Sequence, residues 1–196
     1  MVSKDIDRAT DRFLSAAARI RNGLITQRAR IMQAAAEAPK LLEGQLGEAT
    51  NLTDTFENDL DYYIYEMGRA RDMAVEMDKP FGHPVEIKDA LAAFDEAVPN
   101  LKRIRNPRTH PSDDARLDHV GSLSAAVEFA PTYPGGVTYL VDPRYQHHDA
   151  ALALLDVIQA YLRGLLHAAM KERPGESLDI QIACRNAEAA QQAKPQ

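Results

Sequence analysis

Apolar residues recurring at helical spacing along most of the chain constrain its fold more than any other feature. From Asp5 to Glu37, Ile6, Phe13, Ile20 and Leu24 recur at three- to seven-residue steps, and Ala9, Ala16, Ala17 and Ile31 fill the same stripe. Such spacing turns one face of a helix toward a core. A second helix is predicted from about Thr53, an N-cap followed by acidic residues, with Phe56, Leu60, Tyr63, Ile64, Met67, Ala70, Ala74 and Met77 as its stripe. Lys79-Pro-Phe-Gly-His-Pro84 ends it, because prolines 80 and 84 oppose a continuing helix. Ile87, Leu91, Phe94, Val98, Leu101 and Ile104 mark a third helix, which Pro99 kinks or splits and Pro107 and Pro111 stop. The last spans about Gln146 to Glu172, with Leu152, Leu155, Ile158, Leu162, Leu165, Leu166 and Met170 inward.

Before that last helix the pattern changes. Leu123 to Phe129 and Val137 to Val141 flank the turn-rich Pro131-Thr-Tyr-Pro-Gly-Gly136, which predicts a short β-hairpin. The expected fold is therefore mainly α: a four- to five-helix antiparallel bundle with a hairpin at about 123–142 before the last long helix. A single domain is expected over 1–185, with 186–196 a polar, disordered tail. Pro39 and Gly44 are expected to end the first helix.

Bulk properties narrow the class further. The chain has 196 residues, enough to bury a core without staples, and one cysteine, Cys184. That excludes an intramolecular disulfide framework or a multi-cysteine zinc site and suits a reducing cytosol. With interrupted apolar runs and no secretory signal, the protein is expected to be cytoplasmic, with no membrane partner. A net charge of −6 argues against generic nucleic-acid binding. The charge is unevenly placed, however. Between Arg12 and Ala36 there are five arginines (Arg12, Arg19, Arg21, Arg28, Arg30) and no acid, whereas Asp54 to Glu66 carries five acids and no base. A basic helix packed beside an acidic one accounts for this pattern; the other reading is a basic helix that faces a polyanion.

Chemistry concentrates in Arg105-Asn106-Pro107-Arg108-Thr109-His110. Metal-independent RNA cleavage needs a group to take the 2′-hydroxyl proton, and histidine titrates near neutrality. It also needs a fixed cation where charge gathers on the phosphate, a task suited to the forked, permanently charged Arg105. Asn106 would orient either group or hold a phosphate oxygen. Lys102, Arg103, Arg105 and Arg108 make this the densest basic patch of the chain, and Lys102, Arg103 and Arg108 are candidates for substrate binding. The same residues also fit a structural reading, with Arg105 paired to an acid on the neighbour of the basic helix and His110 a polar loop residue.

The order and spacing of Arg105, Asn106 and His110 resemble the signature motif of the HEPN superfamily, an all-helical group of nucleotide-binding and RNA-cleaving domains. The resemblance implies a metal-independent endoribonuclease site, assembled from two motifs across a homodimer interface. In it Arg105 contacts the phosphate, His110 is the acid/base and Asn106 supports the pair. It also implies RNA as substrate, a toxin or defence setting with an antitoxin or other protein as partner, and no cofactor. The alternative within the same family is a catalytically inactive helical module that binds a partner protein or a nucleotide.

Other clusters carry less. His110, Asp113, Asp114, Asp118 and His119, and separately His147-His148-Asp149, lack recognisable metal-ligand spacing. They read as a solvated loop and an acidic helix N-terminus, and no metal site is expected.

Overall fold

The computed structural model describes residues 2–41, 46–102, 104–105, 117–120, 127–131 and 139–172. In chain order these form α1 (Val2–Leu41), α2 (Leu46–Glu76), the single-turn α3 (Asp78–Phe81) and α4 (Val85–Ala97). Helical residues at 101–102 and 104–105 follow, then β1 (Leu117–Val120), β2 (Val127–Pro131), β3 (Tyr139–Val141) and α5 (Gln146–Glu172). The described chain is thus mainly helical, with antiparallel strands before the last long helix, as the periodicity predicts. The predicted tail at 186–196 lies outside the described residues.

Antiparallel order follows from contacts between the helices. Gly23 of α1 lies against Glu66 of α2, and Arg30 of α1 pairs with Asp59 of α2, so the two helices run in opposite directions. Likewise Arg21 pairs with Asp156 of α5 while Arg28 reaches residues 143 and 144, setting α1 antiparallel to α5. Between α2 and α4, Arg71 grips Asp95 with two bonds of 2.7 Å each. The predicted stripes meet in one core. Phe13, Ile20, Leu24 and Ile31 of α1 pack with Phe56, Leu60, Ile64 and Met67 of α2, Ile87 and Phe94 of α4, and Leu155, Ile158 and Leu162 of α5.

Element boundaries depart from the sequence expectation in three places. α1 runs past Pro39 to Leu41, and α2 is already helical at Leu46, so Thr53 is not its N-cap. Proline at 80 does not forbid helix: it stands inside the single turn α3, where loss of its N–H matters least. The chain then turns through Gly82 and His83, both at positive φ (69° and 62°), before α4 begins. Pro99 splits the third helix. Val98, pushed off helical geometry by the following proline ring, ends α4, and Asn100 (φ 64°) redirects the chain into helical residues 101–102.

The expected hairpin is β2–β3, in the register Val127↔Val141 and Phe129↔Tyr139. β1, where Asp118 and His119 are expected in a solvated loop, pairs antiparallel with β2 from Leu117↔Pro131 to Val120↔Glu128, giving the order β1-β2-β3. An isolated hairpin is marginal in water. Here a third strand widens the sheet, and β3 fastens it to the bundle: Val141 is buried in the core while Leu140 is exposed, the alternation a strand imposes.

By length and composition α5 is long and apolar enough to cross a membrane, which the interrupted runs of the sequence did not suggest. In this fold its Ala151, Leu154, Leu155, Ile158, Leu162 and Leu166 belong to the core instead.

Candidate functional site

Arg105 is the one member of the Arg-Asn-His motif within the described residues; Asn106 and His110, with Arg103 and Arg108, lie outside them. Lys102 is exposed. Arg105 stands at the end of helical residues 104–105, and its position is set by α2. A Cβ on Gly68 would lie 2.5 Å from Arg105 Cδ and 2.6 Å from its Nη1. The guanidinium therefore crosses α2 where the helix has no side chain. One turn further along α2, Asp72 accepts a bond of 2.5 Å from Arg105 Nη1. The Arg105 side chain keeps 24% of its exposure. The sequence alternative that pairs Arg105 with an acid on the neighbour of the basic helix is thus realised. Gly68 and Asp72, which sequence reasoning did not single out, form the seat.

A second polar cluster lies inside the bundle. His147 and His148 stand in the first turn of α5 with Asp149, the acidic helix N-terminus expected from the sequence, but both are buried. They diverge to different partners. His147 Nδ1 accepts the Asp142 backbone N–H at 2.8 Å, so its proton sits on Nε2. His148 Nδ1 lies 3.2 Å from the hydroxyl of Tyr63, which is fully buried on α2. Burial, with help from the Arg28 charge, pushes His148 down to about 4. Burial also lowers His147, against the pull of Asp142, and raises the Tyr63 hydroxyl. Both histidines are therefore neutral near pH 7.

Arg28 closes this cluster from α1, donating to the Pro143 carbonyl at 2.8 Å and the Arg144 carbonyl at 2.7 Å. Asp142 accepts from the Arg144 N–H (2.9 Å) and guanidinium, which hold its carboxyl below the usual range. The cluster thus locks β3, the following turn and α5 onto α1 and α2. With the tyrosine sealed from solvent, it holds structure together rather than meeting a substrate.

Among the described residues no group of histidine, cysteine and acidic side chains is arranged to hold a metal ion. Asp118 and His119, expected in a loop, stand in β1. Comparison with known proteins adds no family: no family model matches the chain, and no curated protein or solved structure is significantly similar to it.

Proposed function

We propose that the chain is a metal-independent endoribonuclease of the HEPN-like kind, working as a homodimer on RNA. The observation that carries this reading is the seat of Arg105. Phosphoryl chemistry without a metal needs a cation fixed in advance where charge will develop, and Gly68 and Asp72 fix Arg105 while part of it stays open to solvent. In the proposed reaction His110 takes the proton of a 2′-hydroxyl, the 2′-oxygen attacks the adjacent phosphorus, and the P–O5′ bond breaks. A proton returns to the departing 5′-oxygen, leaving a 2′,3′-cyclic phosphate and a 5′-hydroxyl. Arg105 steadies the phosphate, Asn106 orients the pair, and Lys102, Arg103 and Arg108 draw in the backbone.

One observation favours a second reading. Asp72 already sits on Arg105, so a phosphate must displace or share it; a chain in which that ion pair is permanent is a silent helical module that binds a partner. The deciding experiment incubates purified protein with structured and unstructured RNAs in EDTA. Cleavage that falls about 10²–10⁴-fold in His110→Ala, the scale of a lost proton-transfer group, supports the ribonuclease. Intact RNA under all conditions, with Mg²⁺ or Mn²⁺ included, supports the module.

A further inference from the structure

The outer face of α1 and α2 combines features that the Arg105 site does not use. Arg12, Arg19 and Arg30 are all exposed and recur at seven and eleven residues, close to two and three whole turns of helix. They form one ridge of α1, roughly 27 Å long at 1.5 Å per residue. Among the described residues, the expectation that this basic helix is neutralised by its acidic neighbour holds only at Arg30, which meets Asp59. Arg21 and Arg28 turn to α5 and to backbone carbonyls. Arg19 has no ion-pair partner among the described residues, and Arg12 lies over the Phe13 ring rather than an acid.

Beside this ridge α2 displays aromatic surface. Tyr62 is 60% exposed and Tyr65 42% exposed, on the side of α2 away from the core. The Arg69 guanidinium stands 5.8 Å from the Tyr65 ring centre. The register set by Gly23–Glu66 and Arg30–Asp59 brings Arg19 level with Arg69, so cations of α1 flank the tyrosines of α2. Tyr62, Tyr65, Arg69 and Asp72 follow one another at three- and four-residue steps, a single helix face that leads to Arg105. Asp59, Glu66 and Asp72 on this side of α2 are already engaged by Arg30, Arg69 and Arg105.

We infer that the outer face of α1 and α2 is a platform for single-stranded RNA, with bases stacked on Tyr62 and Tyr65 and phosphates along Arg12 and Arg19. Exposed rings beside a track of cations are the means by which proteins hold unpaired strands, since every base has a face to stack and every linkage a charge. A second copy of the chain fits the face less well, because its two rings are set among charges and the centre of a homodimer interface is depleted of them. A duplex would offer the arginines phosphate but the tyrosines no bases. The inference rests on the ribonuclease reading for its connection to Arg105, and its test separates the two.

The test is fluorescence anisotropy of a labelled twelve-nucleotide oligouridylate with the His110→Ala chain, which cannot consume the probe by the proposed chemistry. Tyr62→Ala and Tyr65→Ala are expected to weaken binding by about fivefold or more each, the low end of a base–aromatic stack. The phenylalanine variants keep the rings and should bind as the parent does. Arg12→Gln with Arg19→Gln should flatten the dependence of log affinity on log salt by about 1.4, two phosphates on a single strand. Failure to bind the oligonucleotide, binding indifferent to the tyrosines, or equal affinity for duplex and for heparin overturns the platform. So does conversion of a dimer to a monomer by the tyrosine variants with RNA affinity unchanged, which assigns the face to a second copy. RNA cleavage with an unaltered KM in the tyrosine variants removes the platform and leaves the ribonuclease. Tyrosine-dependent binding by a chain that never cleaves RNA does the reverse.

Discussion

His148 on the first turn of α5 and Tyr63 in the middle of α2, 85 residues apart in sequence, share a buried contact of 3.2 Å between Nδ1 and hydroxyl, with their rings nearly parallel at 21°. Neither group is ionised near neutral pH, so the contact joins two neutral partners in the core. That condition gives the fold a pH limit.

Because burial holds the folded His148 near 4 and an unfolded histidine titrates near 6.5, the unfolded chain binds the extra proton first as pH falls. Stability from this group is present in full above pH 6.5, declines between 6.5 and about 4, and levels off below. The shift corresponds to a loss on the order of 3 kcal/mol, and His147, lowered in the same sense, adds to it. Urea unfolding at a series of pH values should show this decline, and His148→Gln should flatten it. An unchanged slope in that variant would mean that His148 is not the group responsible.

Gly68→Ala separates the positioning of Arg105 from the stability of α2. The added methyl collides with Arg105 Cδ and Nη1, so the guanidinium must leave its seat and its bond to Asp72. Alanine meanwhile favours helix over glycine by about 1 kcal/mol, which offsets the lost contact. The melting temperature is therefore expected to move little, while the proposed RNA cleavage, if the chain performs it through Arg105, falls by about 10²-fold, the scale of a misplacement of about 1 Å in a catalytic group. Full activity in this variant would remove Arg105's position from the mechanism.

The bundle was legible because its information is local. The stripe from Phe56 to Met77 and that from Leu152 to Met170 each repeat at 3.6 residues, and every residue argues for the same helix. The bounds of α5 fall where the sequence put them, Gln146 to Glu172. β1 was not legible, since Leu-Asp-His-Val is too short for alternation to register on its own. The site was legible only in part. That Arg105 would meet an acid on α2 was one of two readings, but its seat depends on Gly68, a position defined by the side chain it lacks. The burial of His147 and His148 depends on Tyr63 and on a backbone N–H, neither of which leaves a mark near residue 147. Charge counting misassigned the arginines of α1 for a related reason. Two of them serve α5 and the turn before it, where Arg28's partners are carbonyls that no count of acids includes.

Arg28 offers the most direct test of how the sheet is held to the bundle. Its guanidinium donates to two carbonyls in the turn between β3 and α5, and its charge adds to the burial that lowers His148. Arg28→Met retains the stem, leaves both carbonyls without that donor and removes the charge. Bonds from a charged donor contribute about 1.5–3 kcal/mol each, so a loss of roughly 2–4 kcal/mol is expected, less than the sum because water reaches a half-buried site. Two further effects distinguish this from ordinary destabilisation. Hydrogen exchange should accelerate at Tyr139–Val141 and the first turn of α5 well before the middle of α2, because the tie being cut is local. The His148 titration should move upward, since the cation that opposed its protonation is gone, and the acid loss of stability should begin from a smaller gap and span a narrower pH range. Uniform exchange across the chain with an unmoved His148 would show that Arg28 supports the whole fold rather than this junction.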